Sequence, residues 1–325
     1  MIIDEKNIKT WSLIGPRATF GLISLELAKK YEDLIILTSD VSTSAGLDRF
    51  KNQYKNQYID VGIAEQNLMG IAAGLSSEGY KVITTTFSPF QTLRCCEQIK
   101  VNLSYMKNKV IMVGLASGVV LGTLGYTHCS IEDVSIIRSI PNIDIISPSD
   151  SLETAKALFA SMESDRSCYI RLTGGTNNPI VNKTDYKFQI GKAIYVNDCP
   201  KPDAVIIATG SSVAQSLEAS KLLKKDSINL TVLNMHTINP LDHYTLEKIS
   251  KKNKLIFTAE EHSLVGGLYS AISDYYSKNN GDRIKIVPIA HPHNYGKGGE
   301  YKYLLSKYGL DSEGIRKKVV ENIKI

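Results

Sequence analysis

Short, wholly apolar runs alternate along the first 170 or so residues with stretches whose apolar positions recur every three or four residues. Pro16 stands where a helix can open, and Phe20, Ile23 and Leu27 give that helix one apolar stripe. Residues 34–38 predict a buried strand, 64–77 a helix rich in small residues, and 81–86 a second strand. The alternation continues with a helix over 95–103, a strand over 110–115, a helix over 131–139 and a strand over 143–147. Asp150 is placed to cap a helix running through Met162, and 168–172 closes the series as a strand. Apolar strands separated by helices imply a mostly parallel sheet covered on both faces.

Between Thr173 and Pro202 the periodicity gives way to Gly, Asn, Pro and Asp. A second alternation follows. Strands are expected at 204–208, 230–233, 254–258 and 284–288. A helix follows the Gly210-Ser211-Ser212 turn as far as Leu223, and others start at Leu241 and Gly266. The expected fold class is therefore α/β, with two domains, each a mostly parallel sheet flanked by helices. The division is 1–180, a linker over 181–200, and 201–325.

Composition agrees with a globular protein of this size: 325 residues, 43% hydrophobic and 22% charged. The net charge of +5 is spread out. Its densest lysines, Lys221, Lys224 and Lys225 and then Lys251, Lys252 and Lys254, fall near expected helix ends, where cations complement the backbone dipole. Without aromatic-basic interleaving, no nucleic-acid partner is expected. Cys95, Cys96, Cys129, Cys168 and Cys199 are an odd set without a C-x-x-C pair. They argue against disulfides and zinc and suit a cytoplasmic location. The first residues, MIIDEKNIKTW, are too charged for a signal peptide. Residues 110–131 carry no charge and space Gly114, Gly118 and Gly122 evenly, but Ser117, Thr123, Thr127 and His128 make a strand and glycine-rich loop the better reading than a membrane span. His291-Pro292-His293 lacks a carboxylate or cysteine at ligand spacing, so no metal is assigned there.

Chemistry concentrates in Asp60-Val61-Gly62-Ile63-Ala64-Glu65-Gln66-Asn67, followed by Gly70-Ile71-Ala72-Ala73-Gly74-Leu75. Read locally, a strand end turns into a helix whose small residues let another backbone come close, with Glu65 at the turn. A lone glutamate is ordinarily a solvated or capping residue. The whole string, however, closely resembles the pyrimidine-domain motif shared by transketolases, deoxyxylulose-phosphate synthases and the β subunits of 2-oxo-acid dehydrogenases. The resemblance implies a thiamine-diphosphate enzyme in which Glu65 hydrogen-bonds a ring nitrogen of the aminopyrimidine and promotes loss of the thiazolium C2 proton. A carboxyl in an apolar interface can share a proton with such a weak base. By the same resemblance Thr86-Phe87-Ser88-Pro89-Phe90, continuing into Arg94 and Glu97-Gln98-Ile99, supplies Phe87 and Phe90 to the ring pocket beside Ile63, with Leu93 where many full-length transketolases have a third aromatic.

Gly122-Thr123-Leu124-Gly125-Tyr126-Thr127-His128 resembles the transketolase substrate loop, which makes His128 a catalytic and substrate-binding candidate. Leu124 stands where that loop carries an aspartate, and Ala116 where a further histidine lies upstream. Arg17, Ser44 and Arg171 match residues that hold the sugar phosphate. Thr258-Ala259-Glu260-Glu261-His262 and Gly266-Gly267 resemble the transketolase C-terminal domain, where His262 is structural.

No Gly-Asp-Gly with downstream paired asparagines occurs. The nearest string, Asn279-Asn280-Gly281-Asp282, has the reverse order. The resemblance thus implies the pyrimidine-binding and C-terminal half of a split transketolase. A separate N-terminal subunit would bring the diphosphate site and Mg2+ to an α2β2 assembly acting on sugar phosphates. The alternatives are a 2-oxo-acid dehydrogenase β subunit, a deoxyxylulose-phosphate-synthase-like enzyme, or a catalytically inactive interaction protein that keeps the fold.

Overall fold

Two sheets carry the chain in the computed structural model, which describes residues 3–279 and 284–323. All of the Asn279–Asp282 string after Asn279 lies outside the described residues. In chain order the strands are β1 Leu34–Thr38, β2 Tyr58–Asp60, β3 Lys81–Phe87, β4 Val110–Leu115, β5 Ile143–Ile146, β6 Ser167–Arg171, β7 Ile194–Asn197, β8 Ala204–Ala208, β9 Leu230–Asn234, β10 Thr237–Asn239, β11 Leu255–Ser263 and β12 Lys285–His291. The first sheet runs β10-β5-β6-β4-β3-β1-β2 and the second β12-β11-β8-β9-β7. Within the first sheet only β10 is antiparallel, and within the second only β7.

Helices on both faces explain why β1, β4, β5 and β6 are buried at every position, as their largely apolar runs predict, even though β5 carries Asp144 and β6 carries Ser167 and Arg171. Asp150 does cap the Ser151–Glu163 helix, accepting from Glu153 N at 2.8 Å. The stretch 110–131 is β4 and a loop, and no described helix is long and apolar enough to cross a membrane.

Some local expectations change. Pro16 does not open the first helix, because Glu5–Lys30 is already helical before it. Asp4 caps that earlier segment at Asn7 N (2.7 Å), and Gly15, at φ 82°, kinks the chain before Pro16 starts the second segment. Where a helix over 95–103 is expected, three helical residues, Cys96–Gln98, widen into π-helical turns over Ile99–Tyr105. β7 lies inside the stretch read as linker, and β10 returns from the second half to edge the first sheet. One apolar core accordingly spans both halves, joining Leu68, Met112 and Ile145 to Ile207, Leu233 and Leu268.

Candidate active site

Parallel pairing brings the C-terminal ends of β1 to β4 to one edge, and β1 lies between β2 and β3. Ligand sites of open α/β sheets form at such switch points. The turn after β2 is fixed by side chains of that edge. Asp60 Oδ1 accepts from Asp40 N and Gly62 N, each at 3.0 Å. Ser39 Oγ donates to Gly62 O and accepts from Ala64 N at 3.0 Å. Gly62 takes φ 70°, which costs glycine little. These bonds set Glu65 as the first residue of the Glu65–Ser77 helix, where the dipole favours a carboxylate.

Glu65 is only 4% exposed, whereas Ile63, two residues earlier, is 77% exposed. The surroundings of Glu65 are not the apolar interface that the sequence suggests. Arg94 Nη1 donates to Glu65 Oε2 at 2.7 Å, and the guanidinium lies 4.2 Å from the Phe90 ring centroid. Arg94 gets there because the Ser88–Thr92 helix turns the chain back over the Glu65 helix, where Gln66 Nε2 donates to Arg94 O. Sequence reasoning passes over Arg94 as a site residue, since only the tertiary turn aims it at Glu65. Cys95, next along, is buried, which together with the Glu65 charge pushes its thiol up to about 12 and removes it as a nucleophile.

The aromatic faces converge on the same place. Phe87 ends β3 and Phe90 lies one helical turn later, with ring centroids 6.4 Å apart and nearly perpendicular planes. The His128 imidazole approaches Phe90 at 5.3 Å and Phe87 at 6.4 Å, edge to face in both cases. Arg94 thus joins Glu65 to the Phe90 ring, which in turn meets Phe87 and His128. His128 Nδ1 is 3.0 Å from Thr127 Oγ1. Leu124, on the same loop, is 56% exposed, and Ala116 is fully buried directly after β4 with φ 53°.

The three residues matched to a phosphate site separate. Arg17 is half-buried in the first helix and has no ion-pair partner among the described residues, and burial holds its guanidinium below the ordinary arginine value. The loop bearing Ser44 reaches that helix because Gly46 lets it pack on Arg17 O and Ala18 Cα. Arg171 does not join them. It is 1% exposed, with Nε donating to Asp133 Oδ2 at 2.7 Å and Nη2 to Ser130 O and Glu261 O. Its Nε and Nη2 are thus engaged where the two halves meet, away from Arg17 and Ser44. The imidazoles of the C-terminal half are also bonded, His291 to Tyr126 and Pro292 O, and His293 to Ser263.

Comparison with known proteins places these features. The transketolase pyrimidine-binding domain model matches residues 14–177 and the transketolase C-terminal domain model residues 191–315. A transketolase C-terminal section from Methanocaldococcus jannaschii is 35% identical, over 95% of this chain and 96% of that protein. One of the subunits of the apulose-4-phosphate transketolase of Phocaeicola vulgatus is 33% identical, over 96% of this chain and 99% of its own. Among solved structures, a split-gene transketolase in the form of an inactive β4 tetramer superposes with a TM-score of 0.84 at 30% identity, covering 96% of this chain and 98% of that one. Deoxyxylulose-phosphate synthases match too, for example that of Dictyoglomus thermophilum at 30% identity, but this chain spans only 51% of its length.

The Arg171–Asp133 pair generates a direct test of its structural role. Arg171→Met leaves Asp133 charged and fully buried, which is expected to cost about 3–5 kcal/mol, read as a lowered urea midpoint. Replacing both residues by apolar ones of similar size is expected to recover most of that loss. A single variant as stable as the parent contradicts the assignment.

Proposed function

The chain belongs to the transketolase family, and from that premise we propose that it is the pyrimidine-binding subunit of a two-component, thiamine-diphosphate-dependent enzyme that transfers a two-carbon ketol unit between phosphorylated sugars. The observation that carries this reading is the nearly buried Glu65 carboxylate at a helix start, beside the half-buried rings of Phe87 and Phe90. A flat, nitrogen-bearing heterocycle would fit that environment, with Phe87, Phe90 and the exposed Ile63 to hold it and the Glu65 carboxylate to pair with a ring nitrogen. When bound, thiamine diphosphate supplies the nucleophilic carbon and the electron sink for breaking the carbon–carbon bond.

The chain's own residues then divide the work. Glu65 holds a proton at the ring nitrogen, and Arg94 fixes its Oε2, leaving Oε1 for the ring. His128 offers a hydrogen bond to a substrate oxygen beside the rings. Arg17, a half-buried cation with no carboxylate partner among the described residues, and Ser44, on the loop whose Gly46 packs against the Arg17 backbone, suit a sugar phosphate.

The diphosphate and Mg2+ are assigned mainly to the partner, an N-terminal subunit, because this sequence has no Gly-Asp-Gly motif. An α2β2 assembly is supported by Gly70 and Gly74. Both are exposed on the Glu65 helix, and nothing lies within 4 Å of where a Cβ would stand on either. Each glycine weakens an isolated helix by about 1 kcal/mol, which a closely approaching second backbone offsets. Two relatives spanned almost end to end by this chain are a separate C-terminal section and a separate subunit of their enzymes. The free cysteines fit a cytoplasmic setting.

Glu65→Gln, reconstituted with the partner, is expected to assemble normally yet lose turnover by ~10²–10⁴-fold, because an amide cannot share the ring proton. Exchange of the cofactor C2 proton, followed by NMR, slows in parallel; a wild-type exchange rate removes Glu65 from the chemistry. Leu124 governs the acceptor. Leucine cannot accept a hydrogen bond, so the wild type is expected to tolerate aldehydes lacking the neighbouring hydroxyl, or inverted at that carbon. Leu124→Asp should sharpen that selectivity about tenfold, or ~1.4 kcal/mol, in a panel differing only there. Unchanged selectivity would mean that Leu124 faces away from the acceptor.

A further inference from the structure

The loop that carries His128 is glycine-rich, with Gly118, Gly122 and Gly125, and is closed at its base by backbone bonds exchanged between Gly118 and Ser130 at 2.9 and 2.8 Å. Both of its ends are held by the second half of the chain. At the inner end Val119 N donates to Glu261 Oε1 at 2.8 Å. A Cβ at Gly118 would lie 2.3 Å from that same oxygen, so only glycine lets the carboxylate reach the loop backbone. Glu261, on β11, is itself immobilised. It is 1% exposed, its Oε2 accepts from Ser211 Oγ at 2.6 Å and Tyr301 OH at 2.8 Å, and its carbonyl accepts from Arg171 at 2.7 Å.

At the outer end Gly299 N donates to Gly122 O at 2.9 Å, and a Cβ at Gly122 would meet Leu304 Cδ1 at 2.2 Å. Tyr126 OH lies 2.7 Å from His291 Nε2 and donates to Tyr308 OH at 3.1 Å. Two residues beyond Tyr126, His128 makes its ring contacts with Phe87 and Phe90, which belong to the first half.

We propose that the C-terminal half clamps the 118–131 loop and so sets where His128 stands over the aromatic pair, making Glu261 and Tyr126 positioning residues for substrate binding. The domain that the family resemblance assigns to packing thereby gains a part in the site. The clamp stands on contacts within this chain, whereas its effect on substrate rests on the transketolase reading above.

The test separates the two. Amide hydrogen exchange on the full chain is measured for the parent, Glu261→Ala, Glu261→Gln and Tyr126→Phe. In Glu261→Ala, exchange over 118–131 is expected to rise about tenfold while β3 and β4 keep their protection. Glu261→Gln, which can still accept from Val119 N, should restore it. Tyr126→Phe, at the partly exposed end and lacking only the hydroxyl, should loosen 122–128, and it decides the matter alone if Glu261→Ala does not fold. Unchanged exchange in the folded variants overturns the clamp, whatever the enzyme's reaction. In the reconstituted complex Tyr126→Phe is expected to raise the substrate KM several-fold, with kcat and thiamine-diphosphate retention little altered. A loosened loop with an unchanged KM overturns the positioning role.

Discussion

A carboxylate kept almost out of water must be neutralised or used, and the Glu65 site is arranged around that requirement. The helix start beneath it supplies partial positive charge, Arg94 supplies a full one, and the rings of Phe90 and Phe87 wall off solvent on that side. None of this survives a change in the turn that precedes it. Asp60 and Ser39 hold that turn through backbone bonds, and both sit at the ends of neighbouring parallel strands. The sheet register thus reaches the site through two short polar side chains.

The parallel core was readable because strands covered on both faces are apolar at nearly every position, as in 110–115 and, Arg171 apart, in 168–172. Short antiparallel edge pieces were not. β10 has three residues, and β7 is only half-buried amid polar neighbours, so neither carries a periodic signal. The helix before Gly15 was hidden by Pro16, which reads as a start when it is a restart after a kink.

At the site, the motif order placed Glu65, Phe87, Phe90 and His128 together, and the structure groups them. Arg94 and Arg171 show the limit. A motif says that an arginine follows a strand or a turn, but not which neighbours its guanidinium meets. Arg94 meets Glu65 through a tertiary turn, and Arg171 meets Asp133, far away along the chain, in the seam between the halves. Burial of a charge is decided by packing that local pattern does not encode.

The central claim is that this chain brings the pyrimidine side of a composite thiamine-diphosphate site and depends on another subunit for the diphosphate side. Thiamine-diphosphate binding with Mg2+ tests it most directly, titrated calorimetrically into this chain, into the N-terminal subunit, and into their mixture. Tight, saturable binding and ketol transfer are expected only in the mixture, with one cofactor for each copy of this chain. Equally tight binding accompanied by ketol transfer in this chain alone would contradict the account.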